Sequence, residues 1–407
     1  MTILACARIP NMEETKYKQA KFEGTKFWVA LSRVPQLGTV RFRRLESHFG
    51  ELENAWNASF NELKAAGLDD RSAQEIVAAR NNSSPDDEMA ALERAGVTVV
   101  TWSEPGYPSR LKEIADPPAV LYYKGTLLPV DDRSVAIVGT RSPTTYGREA
   151  AAALSRGLAE TGLTVVSGLA LGIDGVAHRS ALENGGRTIA VLAGGLDRVY
   201  PKEHTGLFRQ IQEQGAVISE QPLGVRPDPR SFPRRNRLIS GVSLGSVVVE
   251  AAEGSGARWT VYHALEQDRE VFCVPGSIFS PASDFTNRMI KEGAKLVTGI
   301  SDILEELNIA EAAQGPQASP NASNASNESP EQLPLAAADE DEPEEQALLS
   351  QLTDAPVHID QLRRSSGLPI TSVSSTLTML ELKGKVKQVG CMHYIRIRET
   401  AAVYDNS

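Results

Sequence analysis

The 407-residue sequence predicts an α/β fold: a Rossmann-like, doubly wound parallel sheet, with a helical domain before it and a winged-helix domain after it. Three observations predict this arrangement. Short apolar runs rich in β-branched residues alternate with helical segments in the centre of the chain. Before them, apolar residues recur at helical spacing, and after them three short helical segments precede a hairpin pattern.

The N-terminal domain is predicted over 25–96, after a flexible segment over 1–24. LGTVRFRRLESHFG and AAGLDDRSAQEIVAAR each begin with a glycine turn and continue with apolar residues at helical spacing. Two short helix pairs, around Gly38 and Gly67, are typical of a SAM-like or helix-hairpin-helix module. The same spacing also fits any four-helix cap, so the type of module stays open.

The central domain is predicted over 97–307. Continuous apolar strands separated by helices are typical of a parallel sheet that is covered on both faces. The predicted strands are Val135–Val138, Thr164–Val166, Thr188–Leu192, Ala216–Ser219, Val247–Val249, Val271–Val274 and Lys295–Val297, and Thr98–Thr101 and Val120–Tyr123 are candidates to extend one edge.

A disordered acidic linker is predicted over 308–343, because this stretch is rich in Pro, Ser and Asn and nearly free of large apolar residues. The winged helix is predicted over 344–398, with helices at Glu344–Gln351, Ile359–Ser365 and Thr371–Lys383 and a hairpin that turns at Gly390. Residues 399–407 are a tail.

The composition is that of an intracellular globular protein. The three cysteines show no pairing pattern, and neither a signal peptide nor an apolar run of membrane-spanning length is present, so a cytoplasmic location is expected. The formal charge is −10, but nine acidic residues and no Lys or Arg lie between 308 and 345, which leaves the rest of the chain at −1. Local charge governs phosphate binding, so the acidic total does not exclude a nucleic-acid partner.

Ligands of open parallel sheets bind outside the carboxyl ends of the strands, which directs attention to the loops there. The first predicted strand of the parallel part is followed by Gly139-Thr140-Arg141, and the second by Ser167–Asp174; each loop opens a helix. Glycines let backbone N–H groups approach an anion, and a helix N-terminus adds positive charge. Together the two loops predict a groove that follows phosphates. The third loop, Gly194–Asp197, leads to Lys202 at the same rim.

The fourth loop leads to the strongest charge cluster, Arg230–Arg237, which has four arginines in eight residues and no acid. A helix begins near Pro233, and Arg234 and Arg237 share one face of it. Purely structural explanations of these loops and charged residues stay open. Glycine-rich loops occur in most doubly wound domains, Lys202 fits an ordinary surface lysine, and Arg141 or Arg235 could pair inside the fold with Asp174, Asp197 or Glu250.

Several nucleotide and catalytic motifs are missing from the sequence. No G-x-G-x-x-G follows a strand, and no P-loop or nucleophile elbow occurs. The six histidines show no metal-ligand spacing. No catalytic residue, cofactor or metal is therefore predicted.

The motifs of the loops and of the arginine cluster resemble those of the DprA/Smf family. Gly139-Thr140-Arg141 resembles the family's G-[ST]-R, and SGLALGID its S-G-x-A-x-G-I-D. FPRRNRLISG, over 232–241, resembles the F-P-x-R-N-R-x-I-S-G signature, and NRMIKEGA approximates N-x-L-I-x-x-G-A. These motifs cover roughly 134–297. Two positions depart from the family pattern: His204 replaces the Asn of Y-P-x-x-N, and Arg288-Met289 replaces a more apolar pair.

The resemblance implies a DNA-binding protein of natural transformation rather than an enzyme. Its function would be to bind incoming single-stranded DNA without sequence preference and to load the recombinase RecA onto it, as a homodimer formed through the Rossmann-like domain. The residues that would line the single-strand site are Gly139, Arg141, Ser167, Gly168, Gly172, Lys202, Arg234, Arg235, Asn236 and Arg237.

Two other functions compete with this interpretation. One is a nucleotide-processing enzyme related to LOG-type phosphoribohydrolases, although around Glu250 the chain lacks their P-G-G-x-G-T-x-x-E signature. The other is a regulator that works through its winged helix, although the small side chains of the third helix make a poor reader of base sequence. Weak duplex contact and protein docking are both open for the winged helix, and DNA contact and internal packing for the N-terminal domain.

Overall fold

The computed structural model describes residues 24–35, 37–309, 343–352, 357–383, 385–388 and 393–396. The expectations for the N-terminal segment over 1–23, most of the linker, the turn at Gly390 and the tail lie outside this range. The chain divides into two compact units, Met1–Pro316 and Gln317–Ser407. No helix within the described ranges is both long and apolar enough to cross a membrane.

Six helices precede the sheet within the described residues of the first unit, over the stretch for which the sequence predicts helices. They are α1 (24–32), α2 (Thr39–Phe49), α3 (Leu52–Asn57), α4 (Phe60–Ala65), α5 (Asp70–Asn82) and α6 (Pro85–Arg94). The start of α4 shows a local cause, because Ser59 and Glu62 form a capping box. Gly67 adopts a φ of 86° in the turn before α5, a conformation that favours glycine. Trp28 and Phe42 pack against Trp102, which anchors the helices to the sheet.

The sheet has nine strands in the order β1-β2-β6-β5-β4-β3-β7-β8-β9. The strands are β1 (Thr98–Thr101), β2 (Val120–Gly125), β3 (Ser134–Val138), β4 (Thr164–Ser167), β5 (Thr188–Val191), β6 (Ala216–Ser219), β7 (Gly245–Val248), β8 (Glu270–Cys273) and β9 (Lys295–Leu296). Strands β3 to β9 are parallel, while β2 adds antiparallel to β6 and β1 to β2. The chain runs from β3 outward to β6 and then returns to the other side of β3, so the winding direction reverses between β3 and β7.

Helices cover both faces of this sheet and confirm the doubly wound architecture. They are α7 (Ser109–Glu113), α8 (Thr145–Glu160), α9 (Ile173–Glu183), α10 (Thr205–Gln214), α11 (Ser231–Val242), α12 (Ala257–Glu266), α13 (Asp284–Lys291) and α14 (Ile300–Glu306). Alternate residues of a strand point to opposite faces. Val135 and Ile137 therefore join α8, α9 and α14, whereas Ala136 and Val138 join α11, α12, α13 and the N-terminal helices.

The second unit has the three helices and small sheet of a winged helix. These are α15 (Pro343–Gln351), β10 (Val357–His358), α16 (Ile359–Ser366), α17 (Ile370–Leu382), β11 (Val386–Gln388) and β12 (His393–Arg396), with the strand order β10-β12-β11. Val373, Leu377 and Leu380 lie on one buried face of α17, as their spacing predicts. Lys383, just after α17, pairs with Glu345 at 2.7 Å, so its charge is partly neutralised within the unit.

Candidate functional site

An open cleft of about 640 Å³ lies at the carboxyl ends of β3, β4 and β7, where the winding direction reverses. This is the place at which doubly wound sheets bind ligands. We call it the central cleft. Its lining comes from the loops after these strands, from α11 and from the start of α12, and includes Gly139, Arg141, Asp174, Tyr200, Phe232, Arg235, Asn236 and Trp259.

The loop after β3 brings Arg141 to the cleft as an exposed cation. Gly139 is required there, because a Cβ at this position would lie 2.7 Å from Ile173 Cγ1 and 2.9 Å from the Glu250 carbonyl oxygen. The Arg141 guanidinium lies 5.4 Å from the centre of the Phe232 ring and forms no ion pair with any described residue. Its charge is therefore available to a ligand, and the alternative of internal pairing does not apply to this arginine.

The loop after β4 differs from the predicted phosphate cradle, because the protein's own carboxylate fills it. Asp174 Oδ2 accepts hydrogen bonds from the backbone N–H of Gly168 at 3.1 Å and of Ala170 at 3.3 Å. Burial raises the pKa of this carboxyl, while the charge of Arg235 and the two amides act in the opposite direction. The amide of Gly168 is thus committed to the fold and does not face a ligand.

Ser167 and Gly172 also belong to the scaffold. The Ser167 hydroxyl is fully buried and donates to the Ile137 carbonyl at 2.6 Å, which ties β4 to β3. Gly172 has a φ of 81°, and a Cβ there would lie 2.7 Å from Arg141 Cα. These two residues shape the cleft, which corrects their placement among direct ligand contacts.

A carboxylate likewise occupies the start of α8. Glu250 is 2% exposed and accepts from the Thr144 N–H at 2.9 Å and the Thr144 hydroxyl at 2.5 Å. Thr144 itself caps the helix through the N–H of Gly147. Negative charge at a helix N-terminus stabilises the helix. The two helix N-termini predicted to receive phosphate are therefore already neutralised by Glu250 and Asp174.

The arginines of α11 separate into two groups. Arg235 is 5% exposed, and its guanidinium donates to the carbonyls of Gly168, at 2.8 Å, and Val191. Its Nε donates to Asn236 Oδ1 at 3.1 Å, and Asn236 in turn donates to the Gly256 carbonyl at 3.3 Å. Burial lowers the pKa of Arg235 to about 10, so it stays protonated near neutral pH. It joins the loops behind the cleft rather than reaching into solvent.

Arg234 and Arg237 line a different cleft, of about 510 Å³, between the N-terminal helices and the sheet. We call it the junction cleft. Arg237 pairs with Glu220 at 2.5 Å and with Asp116 at 3.4 Å, so it is an internal ion-pair partner. Arg234 is exposed and forms no ion pair with a described residue. The shared face predicted for these two arginines is confirmed, but it points away from the central cleft.

Lys202 is exposed in a short 3-10 turn and is not among the residues that line the central cleft. Tyr200, two residues earlier, does line it. His204 replaces the family's Asn and is buried, with its Nδ1–H donating to the Leu169 carbonyl at 2.9 Å. The substitution therefore falls on a buried loop contact and not on an exposed rim contact.

Sequence reasoning missed the aromatic lining of the cleft. Tyr200 is 52% exposed and packs 5.8 Å from the Phe232 ring, and Trp259 is 38% exposed at the first turn of α12. Phe232 belongs to the FPRRNR signature, but the signal that this segment gives in the sequence is the charge of its arginines. Exposed aromatic rings next to arginine are typical of sites that stack nucleic-acid bases.

Comparison with known proteins places these features in a family. The family model for DNA recombination-mediator protein A matches residues 98–308, and the DprA winged-helix model matches 331–390. Protein Smf from Synechocystis is 35% identical over 91% of this chain and 98% of its own length, and protein Smf from Escherichia coli is 38% identical over 84% and 88%. The X-ray structure of DprA from Streptococcus pneumoniae is 33% identical, with a TM-score of 0.60 over 70% of this chain and 97% of that one.

Proposed function

This chain belongs to the DprA/Smf family of DNA-processing proteins, and on that basis we propose that it binds single-stranded DNA, without sequence preference, in the central cleft. The observation that supports this most directly is the exposed Arg141 guanidinium above the Phe232 ring, in a cleft that Tyr200 and Trp259 also line. Guanidinium meets phosphate, and the rings offer stacking surfaces to any base. Such a site recognises the chemistry of a single strand rather than its sequence.

The charge of the cleft supports an anionic ligand. Arg141 and Arg235 are its basic lining residues, and its acidic one, Asp174, is buried and bound to backbone amides. Arg141 is the cation of this pair that a ligand reaches. Lys202, close to Tyr200 in the chain, is proposed as a contact at the rim.

The test compares Arg141→Ala with Arg156→Ala, using fluorescence anisotropy of a labelled oligonucleotide. Arg156 is also an exposed arginine and lies on α8, so its removal matches the change in net charge. Loss of one phosphate contact on a single strand should reduce the slope of log affinity against log salt by about 0.7, which is roughly fivefold in affinity at about 0.1 M salt. Adding Lys202→Ala should reduce the slope again. If Arg141→Ala binds as Arg156→Ala does, the central cleft is not the site.

We further propose that the bound strand is passed to RecA, which places the protein in the cytoplasm. Family membership supports this partner. Purified protein and RecA on single-stranded DNA coated with a single-strand-binding protein would test it. RecA filaments should form faster with the protein than without it, and Arg141→Ala should remove most of the difference. An equal rate with and without the protein would refute the loading role.

We propose that the protein forms a homodimer through the Rossmann-like domain, because exposed apolar residues lie on the edge strand of the sheet and in the loop after the neighbouring strand. Leu296 on the edge strand β9 is 42% exposed, and Ile278 and Phe279, after β8, are 80% and 89% exposed. An edge strand with apolar neighbours is a ready surface for a second copy. Light scattering of Leu296→Glu should report a monomer where the original chain reports a dimer. A monomer in both cases would refute the proposal.

We also propose that the protein binds DNA without acting as an enzyme on nucleotides. Glu250, the carboxylate that a phosphoribohydrolase would need, is buried and accepts from Thr144. Incubation with a panel of nucleoside monophosphates should release no free base. Release that disappears in Glu250→Gln would favour the enzyme instead.

A further inference from the structure

We propose that the junction cleft is a second binding site for phosphates of the same DNA strand, reached after the strand leaves the central cleft. This inference rests on the proposed function of the central cleft. It gives the N-terminal helices a direct part in holding DNA, through Arg33, Arg41 and the neighbouring Arg234.

The helix α11 connects the two clefts. Successive residues of a helix point about 100° apart, so adjacent side chains can face different surfaces. Arg235 and Asn236 line the central cleft, while Arg234 and Arg237 line the junction cleft on the other side of the same helix. A strand that crosses the first turn of α11 would pass from one cleft to the other.

The loop before α11 forms a cationic ridge between the clefts. Val225 lines the junction cleft, and Pro229 lines the central cleft. Arg226, which follows Val225, and Arg230, which follows Pro229, are both exposed. The acid of this loop, Asp228, is directed to the backbone: its carboxylate accepts from the N–H of Arg230 at 2.7 Å and of Ser231 at 3.0 Å. The ridge therefore offers positive charge to a strand that passes from the central cleft to the junction cleft.

The lining of the junction cleft is mostly basic. Four arginines, Arg33, Arg41, Arg234 and Arg237, line it together with two acids, Asp116 and Glu220. Three of these arginines form ion pairs, whereas Arg234 forms none with a described residue. Within the described part of the chain, the buried Nη1 of Arg237 has no hydrogen-bond partner. A buried donor without an acceptor is costly, and an anion in the cleft would supply one.

The remaining ion pairs of the cleft are of the kind that exchange partners. Arg33 pairs with Glu88 at 2.9 Å and Arg41 with Asp69 at 2.7 Å, and the two arginine side chains are 36% and 34% exposed. Their carboxylates, Glu88 and Asp69, are 17% and 49% exposed. Exposed ion pairs contribute little to stability, so a phosphate competes at small cost with the more exposed carboxylate, Asp69.

The lining also indicates which part of the strand would bind there. Phe42 is the aromatic residue among the described residues of the junction cleft, and it is 2% exposed. Bases would find no open ring to stack on, in contrast to the central cleft. The junction cleft should therefore hold the sugar-phosphate backbone, and binding there should depend on salt rather than on base type.

Oligonucleotide length separates the two clefts experimentally. Anisotropy is measured with oligonucleotides of about 5 and about 25 nucleotides, which bracket the roughly 4–16 nucleotides of common single-strand sites. The variants are Arg234→Ala, Arg234→Lys and the control Arg156→Ala, and thermal denaturation checks that each is folded. Arg234 is exposed, so its removal should leave the fold intact.

Arg234→Ala should weaken binding of the long oligonucleotide about fivefold at about 0.1 M salt, with a salt slope smaller by about 0.7, and leave the short one unchanged. Arg234→Lys should recover most of the loss, because it restores the charge. Unchanged affinity for the long oligonucleotide would overturn the inference, and so would equal losses for both lengths. If Arg141→Ala weakens both lengths while Arg234→Ala weakens neither, only the junction cleft is refuted. If Arg141→Ala weakens neither, the proposed function itself is wrong.

Discussion

Replacing Arg235 by methionine should destabilise the protein, whereas replacing Arg141 by alanine should only weaken its binding of DNA. Both arginines line the central cleft and both belong to the predicted site. They differ in their surroundings, because Arg141 is exposed and Arg235 is 5% exposed. The comparison therefore separates a residue that holds the site together from one that meets the ligand.

The size of the effect follows from the contacts of Arg235. Its removal leaves the carbonyls of Gly168 and Val191 without their donor and the buried Asp174 carboxylate without the facing charge. A buried acceptor left without its donor costs about 1–3 kcal/mol, so the two carbonyls together account for about 2–6 kcal/mol. For a unit of this size that corresponds to a fall in Tm of roughly 10 °C. Arg141→Ala should stay within about 0.5 kcal/mol, as an exposed substitution does.

The loss should depend on pH in a definite direction. The pKa of Asp174 is already raised by burial, and without Arg235 it rises further. A raised pKa in the folded state contributes stability below the unfolded pKa, and this contribution is lost as pH rises through the folded pKa. The variant should therefore be closer to the original protein at about pH 5 than at about pH 8.

Thermal and urea denaturation at both pH values measure these quantities, and anisotropy measures DNA affinity in the same samples. Arg235→Lys is the control, since it keeps the charge but not the forked geometry, and it should lose less stability than methionine. A change in Tm below about 2 °C for Arg235→Met, combined with a large loss of DNA affinity, would refute the scaffold role and restore Arg235 as a direct contact.

Three further predictions concern the same region. Gly147→Ala should destabilise the protein by about 2 kcal/mol, because the new Cβ would overlap the Glu250 carboxylate and lie 2.9 Å from its Cγ; urea denaturation measures this, and an unchanged midpoint would contradict the described cap of α8. Trp259→Ala should cost about 1–3 kcal/mol of affinity for single-stranded DNA without changing the salt slope; anisotropy measures it, with Tyr262→Ala, one turn further along α12 and 39% exposed, as the control. Burial lowers the pKa of His178 to about 3 from an ordinary 6.5, so its contribution to stability is present above pH 6.5 and lost as pH falls toward 3. His178→Leu should flatten the fall in unfolding free energy between these pH values, and an unaltered pH profile would argue against the buried neutral ring.

The strands of the sheet were predictable because each can be recognised from its own residues. A strand covered on both faces is a continuous apolar run, and Val135–Val138 or Val271–Val274 show that without reference to the rest of the chain. The antiparallel direction of β1 and β2 was not visible in this way, because direction depends on which strand a segment joins and not on its own residues.

The sequence predicted which loops would come together, but not the contacts that their side chains make. The loops after β3 and β4 do meet at one edge, and the helical wheel did put Arg234 with Arg237. The partners of Arg237 could not be foreseen, since Glu220 and Asp116 lie far from it in the sequence. Asp174 was close enough in sequence to consider, but nothing in its spacing shows that the chain turns back to place it under Gly168 and Ala170.

The carboxylates of Asp174 and Glu250 have a consequence for how a strand would move. Rigid amides that grip one phosphate fix a polymer at a single register, and here those positions are already taken by the protein. What remains for the strand is flexible side chains and flat rings, which meet each successive nucleotide in nearly the same way. A strand held so can slip by one nucleotide at little cost, and a lone nucleotide has too few contacts to compete with it, so free nucleotides in the cell should leave the cleft open to DNA.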